Sequence, residues 1–288
     1  MVETATGKLR ELQLVELEML HDLKVICEKH GLRYFLDYGN LLGAVRHGGF
    51  IPWDDDIDVV MPYADYCKFL DIAGEEFGKK YFLQTSATDE NYYRSYARIR
   101  KNDTTFLDTY NLQWDIHHGV WLDVFPLVEI NPGLEFKVKR FIMQLSNYML
   151  MDNYFQIHID EFEEKLGKIG AKLVTVFHKL PRNLRVKLKE LLQRPIYFAK
   201  NKKGLTIVWM AISEYYPPDI YTDTVAIPFE NEEFAVPVKY REKLEIAYGD
   251  YMKLPPEDQR KGHGGKVIID LENNYTKYTK DATHRQDT

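Results

Sequence analysis

Asp54, Asp55, Asp56 and Asp58 crowd into the stretch Ile51–Val60, IPWDDDIDVV. Asp56 and Asp58 are two residues apart and flanked by Ile57, Val59 and Val60, the composition of a half-buried strand. Alternate residues of a strand point to one face, so the two carboxylates are expected to project together. Like charges that close are unfavourable unless a cation neutralises them. Oxygen-only ligands suit Mg²⁺ or Mn²⁺, which makes Asp56 and Asp58 the candidate metal ligands. Asp54 and Asp55 would reinforce the site or hold a second ion. Taken alone, an acidic run is more often a solvated turn, so the neighbouring elements decide.

Upstream stand Gly39 and Asn40, followed by LLGAVRH. Glycine takes backbone angles that other residues avoid, and asparagine is a good helix N-cap. A helix amino end presents free N–H groups and a positive dipole end, which suits a phosphate. Strand, Gly-polar turn, helix and D-x-D strand is the order of nucleotidyltransferase folds. The expected class is therefore α+β, a mixed sheet with flanking helices. Phosphates would lie between the helix amino end and the metal. Such folds draw a third carboxylate from a later strand, and Asp123 in VWLDV has that pattern; it would complete the metal site or act as base. Arg98 and Arg100 are candidates for bidentate phosphate contacts. Arg46 and His47 precede the acidic strand and would orient donor or carboxylates, although pairing with the acids explains Arg46 equally well. His263 is a candidate for binding acceptor or nucleotide. His117 and His118 lack a metal-ligand pattern, and no zinc is expected.

Tyr38–Pro62, YGNLLGAVRHGGFIPWDDDIDVVMP, resembles the signature of the LicD/fukutin family of nucleotidyltransferase-fold proteins. ARIRKNDTTF (Ala97–Phe106), GVWLDVFPL (Gly119–Leu127) and YGDYMKLPP with Arg260 and His263 extend the resemblance. Asn40 stands where the family commonly has Ser or Thr. The resemblance implies phosphocholine transfer from CDP-choline to a sugar hydroxyl. The acceptor would be a lipid-linked precursor of a cell-surface glycan, teichoic acid or lipopolysaccharide. A quaternary ammonium favours an aromatic cage, for which Trp53, Tyr92, Tyr93, Tyr96, Trp114 and Trp121 are candidates. Alternatives are a transferase of another phospho-alditol or phospho-sugar group from a CDP or UDP donor, a D-x-D glycosyltransferase, and a catalytically silent binding domain. The Gly39 turn so close before the acidic strand argues against the glycosyltransferase, and three intact carboxylates argue against the silent domain.

Elements that position these residues follow from apolar spacing. Helices are expected over Lys8–Lys29, Leu41–Arg46, Tyr63–Phe77 and Pro237–Tyr248. Strands are expected over Arg33–Asp37, Ile57–Val60, Tyr81–Thr85, Tyr96–Ile99 and Val120–Val124. Thr224–Val236 reads as a hairpin turning at Glu230-Asn231, and 249–265 as a loop. The 288 residues divide into a catalytic core over 1–132, a mostly helical basic insertion over 133–203, and a part over 204–288 that completes the core. The tail after Thr279 is expected to be disordered.

Hydrophobic content of 45% and charged content of 28% are ordinary for a soluble globular chain. Cys27 and Cys67 read as buried free thiols in a reducing, cytoplasmic setting. No signal peptide and no apolar run of membrane-spanning length is found. Charge is uneven: Lys165–Lys203 carries twelve Lys or Arg against Glu190, a net +11, and leaves −17 elsewhere in a chain of net −6. Lys179, Arg182, Arg185 and Lys189 of this segment are expected to meet an anionic membrane surface, holding the chain at the inner face of the plasma membrane. Nucleic acid is not expected as a partner, because no stacking platform interleaves with these charges.

Overall fold

The computed structural model describes residues 5–108, 115–151, 159–197, 203–208, 215–262 and 267–283. In chain order its first elements are α1 (Gly7–His30), β1 (Phe35–Leu36), α2 (Tyr38–His47), β2 (Asp58–Pro62), α3 (Tyr63–Phe77), β3 (Tyr81–Gln84) and β4 (Ala97–Lys101). Next come β5 (Thr105–Asp108), β6 (Trp121–Ile130), α4 (Leu134–Tyr148), α5 (Ile159–Phe177), α6 (Arg182–Gln193) and β7 (Gly204–Ile207). The last are β8 (Thr224–Phe229), β9 (Glu232–Pro237), α7 (Tyr240–Tyr248), β10 (Val267–Asp270) and α8 (Thr276–Thr283). The class is α+β, as expected. The helix α8 runs past Thr279, where a disordered tail is expected.

The chain divides into two compact units. One comprises Met1–Gln84, Ala97–Val124 and Asp219–Thr288; the other comprises Thr85–Tyr96 and Phe125–Pro218. The first unit is built on strands in the order β1-β2-β6-β4-β3. Helix α1 buries Leu12, Met19, Leu20, Leu23, Ile26 and Cys27 at helical spacing, and Gly31 closes it in the left-handed region (φ 61°). Leu36, Val59, Leu122, Val124 and Ile99 join the same core, together with Phe69 and Phe77 of α3. The hairpin β8–β9 adds Phe229, Phe234 and Val236. Register aligns Arg98 with Asp123 and Arg100 with Trp121 across β4 and β6.

The helical region expected over 133–203 falls within the second unit, which is wider than that range. Thr85–Tyr96 belongs with it because α6 holds that segment by its main chain. The Lys189 ammonium donates to the carbonyls of Tyr93 (2.8 Å) and Arg94 (2.7 Å). The Gln193 amide donates to Ser95 Oγ at 2.8 Å. Residues Leu127–Ile130 of β6 pair with β7 inside this unit.

Two of the basic residues expected to face lipid are structural. Lys189 is 2% exposed and Arg185 5%, and Arg185 Nη1 donates to the Met149 carbonyl at 2.7 Å. Arg182 bonds the carbonyls of Glu90 and Leu150. An amphipathic helix hides long basic side chains as readily as it displays them, because their stems are apolar. Burial also pushes the Lys189 ammonium down, to about 7. Replacing Lys189 by Glu should therefore cost about 3–5 kcal/mol, as expected when a buried, bonded cation is lost and an unpaired charge takes its place. The exposed neighbour Lys187→Glu should stay within about 0.5 kcal/mol. Urea denaturation of the two variants checks this difference.

Candidate active site

Helix α2 begins one turn earlier than the glycine suggests, so Gly39 and Asn40 lie inside its first turn. Asp37 is the cap instead of Asn40: its Oδ1 accepts from the Tyr38 N–H at 2.5 Å. Asp37 is fully buried, and two further groups hold it. Tyr221 donates its hydroxyl to Oδ2 at 2.7 Å, and Lys243 of α7, also fully buried, forms an ion pair with Oδ1. The Lys243 ammonium also lies 4.8 Å from the centroid of the Tyr38 ring.

Asn40 has a different task from a cap. Its amide donates to the Asp56 carbonyl at 2.9 Å and accepts from the Asp58 N–H at 2.6 Å. One buried side chain therefore satisfies the main chain on both sides of Ile57 and sets where Asp56 and Asp58 leave the backbone. Gly39 is required for close approach: a Cβ there would sit 2.6 Å from Asp54 Oδ2. The amino end of α2 and the acidic loop are thus in contact.

Oxygen atoms of Asp54, Asp55 and Asp56 lie within 4.8 Å of one another. Asp58 opens β2 beside them. Burial pushes its carboxyl well above the usual range, and the charges of Asp56, Asp123, Asp54 and Asp37 add to that. Glu16 of α1 lies under the same loop, 1% exposed, and its Oε2 has no hydrogen-bond partner among the described residues. Burial, then the charges of Asp56, Asp55 and Asp54, push its carboxyl up as well. Beside it Gln13 donates to the carbonyls of Ile51 (3.3 Å) and Asp54 (2.9 Å), fastening the loop to α1. An all-carboxylate donor set this crowded fits a hard divalent cation, and Asp54, Asp55, Asp56 and Asp58 could hold one.

Asp123 enters from β6, whose N–H donates to the Ile57 carbonyl at 2.8 Å. Both its oxygens are taken by Arg98, Nε to Oδ1 at 2.5 Å and Nη2 to Oδ2 at 3.0 Å. The pair is buried, and the Arg98 guanidinium lies over the Trp121 ring. Arg100 is 1% exposed and spends its donors on Gln84 Oε1 and the Gly119 carbonyl, both at 2.8 Å. The two arginines expected to meet phosphate are therefore committed to the protein: Arg98 to the candidate third carboxylate, Arg100 to the strand scaffold. Trp121 serves as their stacking partner.

The C-terminal motif closes on the acidic loop. Arg46 Nη1 donates to the Tyr251 carbonyl at 3.1 Å, and its Nε lies 3.4 Å from His47 Nδ1. Burial lowers the Arg46 pKa from its ordinary value. The His47 ring meets Trp53 edge-on at 6.2 Å, and the Arg260 guanidinium lies 5.6 Å from Trp53. A Cβ at Gly262 would come within 2.9 Å of the Trp53 carbonyl and 3.0 Å of the Asp55 carboxyl carbon. Arg46, His47, Trp53 and Arg260 thus border the carboxylates. His263 and Trp114 lie outside the described residues. Of the other cage candidates, Tyr92, Tyr93 and Tyr96 are buried in the second unit.

Gln13, Glu16, Asp37, Tyr221, Lys243 and Glu230 were not legible as site residues. Glu230 accepts two bonds from Arg10 and one from the Phe50 N–H, pinning the hairpin turn to the Gly48-Gly49 corner. Asp37 directly before the glycine turn carried a signal, since a carboxylate there caps the helix. The others are remote from the motif in sequence: Gln13 and Glu16 lie in α1, and Tyr221, Glu230 and Lys243 lie more than 150 residues later.

The chain matches the family model described as LicD/FKTN/FKRP, nucleotidyltransferase domain, over residues 31–159. It is 32% identical over 268 residues to the lipopolysaccharide cholinephosphotransferase LicD of Haemophilus influenzae, covering 88% of this chain and 95% of that protein. It is 28% identical over 132 residues to the ribitol 5-phosphate transferase FKRP of Homo sapiens, covering 42% of this chain and 27% of that protein. The match to the bacterial protein spans both units and runs over nearly its whole length. With that match, and with the acidic strand and its supporting helix in place, the chain belongs to the LicD family.

Proposed function

We propose that the protein transfers phosphocholine from CDP-choline to a sugar hydroxyl of a cell-surface glycan precursor. The observation that carries the reading is the carboxylate cluster of Asp54, Asp55 and Asp56, with Asp54 against the amino end of α2 and with Asp58 and Asp123 close enough for their charges to interact. The near full-length likeness to a cholinephosphotransferase favours phosphocholine over ribitol phosphate, for which the likeness covers 42% of the chain. The acceptor would be a lipid-linked precursor of lipopolysaccharide or teichoic acid, and the reaction would run on the cytoplasmic side.

The acceptor oxygen attacks the phosphorus that bears choline. The bond from that phosphorus to the oxygen of CMP breaks, and CMP leaves with the electron pair. The hydroxyl proton passes to a carboxylate of the cluster. A bound Mg²⁺ or Mn²⁺ would screen donor phosphate oxygens and stabilise charge on the leaving group. Asp56 and Asp58 would hold it, with Asp54 and Asp55 beside them. Both Asp123 oxygens are already engaged by Arg98, which argues against its serving as the base. We assign it to shaping the field at Asp58 and to the metal side of the site. Gly39, at the amino end of α2, would receive donor phosphate. Arg46 and His47 would orient the donor, Trp53 would face the trimethylammonium, and His263 is retained as an acceptor or nucleotide contact.

Asp56→Asn and Asp58→Asn should each leave a folded chain and lower turnover by about a thousandfold or more, the scale of losing a metal-held charge. Near wild-type turnover in either folded variant would sink the metal assignment. Asp123→Asn is a poorer probe, since it strands a buried guanidinium at a cost of about 3–5 kcal/mol. Its melting temperature should fall together with its activity.

Asn40→Ala should lower turnover without removing any carboxylate, because Asp56 and Asp58 lose their shared clamp. An unchanged rate would show that the strand holds its register without it. The donor is tested by thermal melting with Mg²⁺. CDP-choline should raise the melting temperature, and CDP-ribitol or a nucleotide sugar should not. A larger rise with either of the latter would reassign the donor.

A further inference from the structure

One pattern recurs on the three helices of the second unit. Leu134, Val138 and Phe141 on α4, Ile169, Leu173 and Val176 on α5, and Leu184, Leu188 and Leu191 on α6 all follow i, i+4, i+7. That spacing forms one stripe along a helix. Each triad has a lysine at i+3, namely Lys137, Lys172 and Lys187, all exposed. The apolar stripes are not the buried faces. Ile169 is 79% exposed, Leu134 78%, Leu191 65% and Val176 58%. Every strongly exposed large apolar side chain described in this unit lies on these helices.

The arrangement is most complete on α5. This helix is broken at Gly167 (φ 70°), and its second part begins there. Lys168, Lys172 and Lys179 are exposed along one border of the Ile169–Leu173–Val176 stripe. Leu166, Ala171 and Val174 face inward. No acidic residue occurs between Leu166 and Leu180. The α4 stripe lies alongside, since Phe141 Cε2 is 3.5 Å from where a Gly170 Cβ would be.

We propose that this face of α4 and α5 docks on an anionic phospholipid bilayer. A stripe of Leu, Ile, Val and Phe side chains enters between headgroups, and lysines along its border reach lipid phosphates. No helix among the described residues is long and apolar enough to cross a membrane, so the contact is interfacial. A second copy of the chain is the weaker occupant. A two-fold interface would set lysine border against lysine border with no acid on α5 between Leu166 and Leu180 to answer them. The surface differs from the one the sequence suggested. Arg185 and Lys189 are buried, and Lys168 and Lys172 join Lys179, which the sequence had already placed there.

Vesicle flotation of the full chain tests the proposal, with neither donor, acceptor nor metal present. Its outcome is therefore separate from that of the transfer reading. The chain should float with vesicles of phosphatidylcholine and phosphatidylglycerol, float poorly with phosphatidylcholine alone, and be released by salt. Each lysine near the lipid contributes on the order of fivefold in partitioning, so Lys168→Gln/Lys172→Gln/Lys179→Gln should weaken it about a hundredfold. Ile169→Ser/Leu173→Ser should weaken it about tenfold or more. Both variants should keep the wild-type melting temperature, because the side chains replaced are exposed. Absence of flotation would overturn the proposal, as would flotation indifferent to phosphatidylglycerol or folded variants that bind like wild type. A dimer that the Ile169→Ser/Leu173→Ser variant splits, without lipid binding, would assign the face to a second copy instead.

Discussion

The first unit is organised around a concentration of negative charge. Glu16, Asp37, Asp54, Asp55, Asp56, Asp58 and Asp123 come from α1, the turn before α2, the acidic loop and two adjacent strands. Crowded carboxylates in a partly buried space repel, and burial penalises each charged form. The fold answers at the two ends: Lys243 is matched to Asp37, and Arg98 to Asp123. Between those ion pairs lie the four acids of the loop and strand. Burial first, and then the neighbouring charges of Asp56, Asp123, Asp54 and Asp37, raise the proton affinity of Asp58. The divalent cation proposed for this site would neutralise several of these oxygens at once.

Holding like charges together requires a stiff frame, and each part of it acts on the main chain. Asn40 bonds both the Asp56 carbonyl and the Asp58 N–H, and Gln13 bonds the Ile51 and Asp54 carbonyls. Glycines supply clearance where elements touch. A Cβ at Gly43 would lie 2.4 Å from the Gly49 carbonyl oxygen, so α2 can press on the following corner only with glycine there. Glu230 reaches that corner from a hairpin nearly two hundred residues later in the sequence. The catalytic core is therefore one folding problem despite its interruption by the second unit: the acidic loop is in place only when α1, α2, the hairpin and α7 are.

Much of this was readable from the chain. Apolar residues around Asp58 announced the strand, although β2 begins at Asp58 and leaves Asp56 in the loop before it; Gly-polar spacing announced the helix, and VWLDV announced the strand that carries Asp123, because these signals are local. The limits were also physical. Asn40 reads as a cap from its position, yet Asp37 takes the cap and frees the amide to bind the neighbouring strand. Arg98 and Arg100 read as phosphate contacts from their charge, but register puts Arg98 opposite Asp123 and Arg100 opposite Trp121. Lys189 and Arg185 read as surface charge, while main-chain carbonyls of Tyr93, Arg94 and Met149 draw them inward. Long-range pairing decides each of these cases, and no local window of sequence contains it.

Direct binding of Mn²⁺, followed by electron paramagnetic resonance on the purified chain, addresses the central claim that the carboxylates are arranged to hold a cation. The account predicts saturable loss of the free Mn²⁺ signal with the wild-type protein. It predicts a dissociation constant at least about tenfold weaker for Asp58→Asn, with the melting profile retained. Equal binding by the two proteins, or no saturable binding by the wild type with or without CDP-choline, would contradict it.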